Sequence, residues 1–402
     1  MKSPAYVDQE RASRRPRRAK RLWALGLAGL VLVSAVGVAA GSPPARSSVL
    51  AGLLLPHFFP GSVPRPLRIL TATPQVSTVV VPGAPGHMVA DIYRPMGTGP
   101  FPAMILMLGV NPLPRTDAQV VTLAEGIART GIITVVAESE ALLNGEIRFE
   151  EVDNLVALVD YLTRDPSVDA ERVGFSGFCI GAVLELLAAE DERIANRISY
   201  VNAFSVYAFA SDVLRAILTQ SMPAAGGAAG WTPSALTREV FLRHMIEQLP
   251  FDRDRDALRR EIVEQTPLTS VELQVLSREA RQLRDLLRAT EPAEVDRLLA
   301  ELPPAFTQGL ARLSPGAEVA KVSARLFLMH DRADSYLPVA GARRLAELAE
   351  ETSPVTYTEF KLFEHVVPGK VEEPRVFLGE MVKLYRHIQQ VLHTAQYTRS
   401  HA

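Results

Sequence analysis

The chain has a single cysteine, Cys179, set in Gly177-Phe178-Cys179-Ile180-Gly181 with a glycine two places to either side. Glu171-Arg172-Val173-Gly174-Phe175-Ser176 ahead of it reads as a short buried strand, and Ala182 to Ala189 after it as a helix. A thiol at the apex of so tight a strand-to-helix turn can attack an acyl carbonyl. The flanking residues must be small, because the apex backbone is strained and strand and helix pass close together. Ser176 is the rival nucleophile, in Gly174-Phe175-Ser176-Gly177-Phe178. Its second flank is a bulky phenylalanine and no helix can start there, so Ser176 reads as a strand residue. A nucleophilic thiol needs a base, and the base an orienting carboxylate. Two downstream loops offer them: Asp334, with Asp331 as its rival, in His330-Asp331-Arg332-Ala333-Asp334, and His365 in Phe363-Glu364-His365-Val366.

These groups must be positioned by the elements around them. From Val76 the pattern is that of an α/β domain. A hairpin of two strands (77–81 and 88–95) is followed by the continuous apolar run Pro102 to Gly109, suited to a central strand buried on both faces. A helix over 117–130, a strand over 132–137 and a helix over 150–164 then lead to the cysteine turn. Such alternation implies a mostly parallel, doubly wound sheet. After the strand-like run Tyr200 to Tyr207 the alternation stops for about a hundred residues. Ser211 to Ser314 reads as helical, with starts at Thr232-Pro233 and Thr290-Glu291-Pro292. Thr269-Ser270-Val271-Glu272 reads as a capping box before a long amphipathic helix. Ala224 to Gly230 reads as a loop. The pattern resumes with a strand over 324–330, a helix over 339–350, a strand over 355–360 and a last helix from Pro374 to about His393. The helical stretch is thus inserted within one domain, where it can cap the sheet's carboxyl edge. The expected layout is a core over 76–210 and 319–396, interrupted by a cap over 211–318.

The first residues are a separate object. Arg11, Arg14, Arg15, Arg17, Arg18, Lys20 and Arg21 form a basic cluster, and Leu22 to Ala40 follow without a charge. That run is close to the roughly 20 residues needed to span hydrocarbon. Residues 1–41 therefore read as a basic tail and an uncleaved signal anchor. A transmembrane helix of this kind keeps the basic flank cytoplasmic and places the rest outside; secretion after cleavage is the alternative. Residues 42–75 read as a linker. Within it, Val49 to Phe59 is apolar but too short to span, and either packs on the domain or lies at a membrane surface. A net charge of −2 gives no sign of a nucleic-acid partner, and one cysteine excludes an internal disulfide.

The turn resembles the nucleophile elbow of the α/β-hydrolases, with sulfur where most members carry a serine oxygen. That fold orders its residues nucleophile, acid, base. Asp334 then serves as the acid, being four residues beyond the strand end at His330 and ahead of a Leu-Pro and a helix. The position of Asp331 is usually a glycine. His365, in the loop after the next strand, serves as the base, and His330 is structural. Two backbone N–H groups, from Ile180 and from Val110 after Leu108-Gly109, would hold the oxyanion. Gly177-Phe178-Cys179-Ile180-Gly181, preceded by Asp165-Pro166 and Arg172-Val173-Gly174, is similar to the dienelactone hydrolase family. The resemblance covers roughly 76–207 and 324–393 and implies a Cys-Asp-His triad, Cys179, Asp334 and His365, acting on esters and lactones. The expected partner is a small-molecule acyl substrate, with no metal or cofactor. Two other functions share parts of this pattern: an acyltransferase of the polyhydroxyalkanoate-synthase type, and a binding protein that keeps the scaffold without catalysis.

Overall fold

The computed structural model describes residues 42–59, 61, 63–84, 88–110, 114–368 and 373–400. Its centre is an eight-stranded sheet formed by β1 (Gln75–Val80), β2 (Val89–Arg94), β3 (Phe101–Met107), β4 (Ile133–Glu138), β5 (Val168–Phe178), β6 (Ile198–Phe204), β9 (Arg325–Asp331) and β10 (Val355–Phe360). The spatial order is β1-β2-β4-β3-β5-β6-β9-β10. β2 runs antiparallel to both β1 and β4, and the remaining pairings are parallel. The order reverses between β3 and β5, which opens a crevice at the carboxyl ends of these strands. Central strands buried on both faces read as continuous apolar runs, and β3 is buried from Pro102 to Met107.

Helix Ile180–Glu190 leaves β5 directly and is buried along its whole length. A mostly apolar stretch suits that place, and its two carboxyls, Glu185 and Glu190, are pushed up by burial. On the opposite face of the sheet lie helices Ala118–Ala128 and Pro374–Tyr397. The stretch expected to be a linker is largely structured: helix Pro43–Leu54 continues into the 3-10 turn Leu55–Phe58. It packs on the domain, with Leu54, Leu55 and Phe59 in one apolar cluster with Leu384, Ile388 and Leu392 of the last helix. Beneath it is a cavity of about 50 Å³ lined mainly by apolar side chains, with Ser176, Asn202 and His387 as its polar members.

The insertion leaves and re-enters the core through one neck. Ala210 N donates to Ser314 Oγ (2.9 Å) and Gly316 N to the Ala208 carbonyl (2.9 Å). Its helices include Ala210–Thr219, Ala235–Glu247, Arg278–Arg288, Pro292–Ala300 and Pro304–Arg312. Two features differ from the sequence reading. The expected loop over 224–230 belongs to a small antiparallel hairpin, β7 (Ser221–Ala224) and β8 (Gly227–Gly230). Ala225 and Gly226, the latter at φ +90°, make its turn, and a strand built of alanine and glycine carries no β-like side-chain signal. The capping box Thr269–Glu272 is present, but the helix it starts ends at Val275. Leu276 turns to extended backbone, and Ser277 caps a new helix by accepting from Ala280 N. A second cap, this one a serine, thus splits one amphipathic pattern into two helices.

Among the described residues no helix is long and apolar enough to cross a membrane. The anchor expected over Leu22 to Ala40 lies outside the described residues.

Candidate active site

Cys179 occupies the apex between β5 and helix Ile180–Glu190 with φ +54° and ψ −131°, in the positive-φ region that side chains rarely adopt. The strain is held by the neighbours. Cys179 N donates to the Phe204 carbonyl (2.8 Å), tying the apex to the end of β6. The glycines are needed for approach. A Cβ at Gly177 would lie 2.7 Å from Ala182 Cα, and one at Gly181 2.4 Å from the Leu108 carbonyl oxygen. A Cβ at Gly109 would lie 2.7 Å from Cys179 Cβ. The loop after β3 therefore rests directly against the apex, which brings Val110 and Ile180, the two expected oxyanion donors, onto adjoining segments. Arg115 braces the far side of that loop. Its backbone N–H donates to Glu138 (2.6 Å), and its guanidinium pairs with Asp91 and Glu138.

Ser176 lies within β5 and is nearly buried. It accepts a hydrogen bond from Asn202 Nδ2 (3.0 Å) and faces the cavity beneath the sheet. It takes no part in the group around Cys179.

The carboxyl ends of β6, β9 and β10 bring the partners together. His365 has φ +59° in the loop after β10, and its Nδ1 is 2.9 Å from Asp334 Oδ2. The Cys179 sulfur faces the same imidazole closely enough for its charge to act on it. With Nδ1 taken by the carboxylate, Nε2 is the nitrogen left for sulfur. Burial alone would lower the pKa of His365. The facing charges of Cys179 and Asp334 outweigh it and raise the value to about 10. Asp334 shows the converse: burial pushes its carboxyl up, while His365 and the Ser205 hydroxyl hold it down at about 2.

The two aspartates of this loop have different work. Asp334 Oδ1 accepts from the backbone N–H of Tyr336 (2.7 Å) and Leu337 (3.2 Å), which leaves Oδ2 for His365. Asp331 is fully buried and turns to backbone instead, accepting from Ala333 N and Phe363 N, both at 2.9 Å. It joins the acid loop to the start of the base loop. His330 is also buried, with Nε2 3.0 Å from the Leu337 carbonyl, and burial lowers its pKa.

Three residues near the site escaped the sequence reading. Ser205, at φ +60° just past β6, donates to Asp334 Oδ2 (2.6 Å) and lies 3.2 Å from His365 Nδ1. It is a fourth polar member of the group; only the strand pairing of β6 with β9 brings it there. Tyr336 stacks on the His365 ring. Tyr207 is fully buried just beyond Ser205, its hydroxyl without a hydrogen-bond partner and its ring against Phe241 of the insertion. Among the described residues no cluster of histidine, cysteine and carboxylate side chains is arranged to hold a metal ion.

The crossover order, the strained apex between β5 and its helix, and a paired carboxylate and imidazole following β9 and β10 make one arrangement. The arrangement is that of the α/β-hydrolase fold. No protein-family model matches it. A Bradyrhizobium protein described as a probable 2-oxo-3-(5-oxofuran-2-ylidene)propanoate lactonase is 29% identical over 120 residues, covering 26% of this chain. The chain spans 47% of that relative's length. Among solved structures, an acylaminoacyl peptidase of Pyrococcus horikoshii aligns over 82% of this chain and 43% of its own, at 12% identity and a TM-score of 0.46. A 2,6-dihydroxy-pseudo-oxynicotine hydrolase aligns over 95% and 93% at 15% identity and a TM-score of 0.45. The α/β-hydrolase likeness read from the elbow is thus met by the fold and by a lactonase relative.

Proposed function

We propose that the chain is a hydrolase that cleaves a carboxylic ester, lactone or thioester with Cys179 as nucleophile, His365 as base and Asp334 as the orienting acid. The observation that carries this reading is the imidazole of His365 held by Asp334 Oδ2, at 2.9 Å, with Cys179 beside it at the elbow apex. Proton transfer from sulfur to His365 gives a thiolate beside an imidazolium, at the positive end of a buried helix. The thiolate adds to the acyl carbon, and the oxyanion is taken by the N–H groups of Ile180 and Val110. The C–O or C–S bond to the leaving group breaks as His365 returns the proton to it, which leaves a thioester on Cys179. Water then gives a proton to His365 and its oxygen to the acyl carbon. The acid departs and the proton goes back to sulfur. The lactonase relative supports the ester and lactone classes; similarity over part of each chain makes its substrate a guide to chemistry only.

Purified full-length chain is expected to hydrolyse short-chain p-nitrophenyl esters. Cys179→Ala should lower kcat/KM by about 10³ or more, and Ser176→Ala should leave it within about threefold. Retained activity in Cys179→Ala with loss in Ser176→Ala would refute the assignment.

A further inference from the structure

We infer that Tyr336 is a positioning residue for the base: its ring lies flat on the His365 imidazole, is held there by the inserted cap, and favours the cationic form of that imidazole. The ring centroids are 4.2 Å apart and the planes 18° from parallel. An aromatic face attracts an imidazolium lying over it and does far less for the neutral ring.

What holds Tyr336 in place comes from the cap. Three successive carbonyls of the acid loop are each taken by one donor from the start of the insertion's first long helix region. Trp231 Nε1 donates to the Asp334 carbonyl (2.7 Å), Ser234 N to that of Ser335 (2.7 Å) and Thr237 Oγ1 to that of Tyr336 (3.0 Å). On its other side, Tyr336 N donates to Asp334 Oδ1 (2.7 Å). The residue that stacks on the base thus also orients the acid, and its backbone is fastened to the cap. A side chain that merely filled space needs no such register.

Among the described residues, the charged and titratable groups that act most on His365 are Asp334 from the acid loop and Cys179 from the elbow. His330 from the end of β9 lies behind Asp334, its Nε2 3.5 Å from Oδ2. Asp331 is turned to backbone. Ser205 and Tyr207 add hydroxyls and no charge. Asp334 Oδ2 meets the imidazole at its edge, at Nδ1, whereas Tyr336 covers its face, so the stack is a separate influence on the same ring.

The inference rests on His365 being the base, and the test keeps the two claims apart. The titration of His365 is followed by NMR of histidine-labelled full-length chain, with His365→Asn to identify the resonance. In the native chain it should titrate near 10. Tyr336→Phe should leave that value in place. Tyr336→Leu should lower it by roughly one unit, as loss of a cation–π contact requires. Thr237→Val, which leaves the ring but frees its backbone, should give a smaller shift of the same sign and serves if Tyr336→Leu does not fold. An unchanged titration in Tyr336→Leu and Thr237→Val, with only thermal stability reduced, overturns the inference and leaves the triad reading intact. A native His365 that titrates at 6.5 and does not respond to Cys179→Ala counts against the triad, while the difference between Tyr336→Leu and the native chain still decides the stack.

Discussion

Two polar clusters, each built around a histidine and a serine, cross the central strands of this molecule. At the carboxyl edge, Ser205, Asp334, His365 and Cys179 form one chain of contacts. On the face under helix Pro43–Leu54, Ser176 accepts from Asn202 Nδ2, Asn202 Oδ1 meets His387 Nε2 (2.9 Å), and His387 Nδ1 meets Thr358 Oγ1 (3.0 Å). Both histidines are surrounded by protein, and burial lowers both. Yet His387 falls to about 3 and His365 rises to about 10. The difference lies in the neighbours: an amide and two hydroxyls against a carboxylate and a thiol. Burial supplies the low-dielectric setting, and the partner decides the sign. A histidine alone therefore identifies no site; the lower cluster is a hydrogen-bonded core feature beside a mostly apolar cavity.

The sharpest way to break this contrast is to make the upper cluster chemically like the lower. Asp334→Asn keeps shape and removes charge, so His365 should drop by more than one unit from about 10. Esterase activity should fall by about 10⁴, as when the carboxylate of a hydrolytic triad becomes an amide. If His365 kept its elevated titration in this variant, Cys179 alone would be its source. Asp331→Asn should instead cost stability with little change in the His365 titration, because Asp331 accepts from the backbone of Ala333 and Phe363 and the carboxylate at His365 Nδ1 is that of Asp334.

The reverse exchange, Asn202→Asp, places a carboxylate beside His387. Its titration should rise from about 3 by two units or more, read by the same NMR. Thermal denaturation should show a loss on the order of 3 kcal/mol if the new pair is poorly solvated. An unmoved His387 would mean that solvent reaches the new carboxylate.

A last effect is in the pH dependence of stability, where the two histidines act in opposite directions about the same reference of 6.5. His387 is lowered, so the unfolded chain binds the extra proton between 6.5 and about 3, and stability drains as pH falls through that window. His365 is raised, so its contribution is full below 6.5 and drains as pH rises toward about 10. Thermal midpoints measured from pH 4 to 10 should therefore show His387→Gln flattening the acid limb and His365→Asn flattening the alkaline one. Identical limbs in native and variant chains would remove both contributions.

The elbow could be read from sequence because its constraints are local: Gly177 and Gly181 are required by atoms within a few residues or by one adjoining strand end. Asp334 and His365 were legible through chain order, since a strand end and a loop mark each. Ser205 and Tyr336 were not. Ser205 looks like any strand-terminal serine until β6 lies beside β9, and the Tyr336 stack depends on two loops meeting. The hairpin over 221–230 was hidden for a different reason, as alanine and glycine carry no two-residue alternation. The packing of Val49 to Phe59 stayed open because an apolar stretch records that it is covered, and not by what.

The three carbonyl contacts from Trp231, Ser234 and Thr237 also bear on engineering. A cap inserted through a narrow neck invites exchange as a cassette, swapped to change substrate preference while the core is kept. Here the cassette would carry away the donors that hold the acid loop, so a graft must bring matching groups at those three positions or redesign the loop along with it. Evolution of this chain toward new substrates faces the same coupling, and variation is expected to be freer in the distal helices than in residues 231–237.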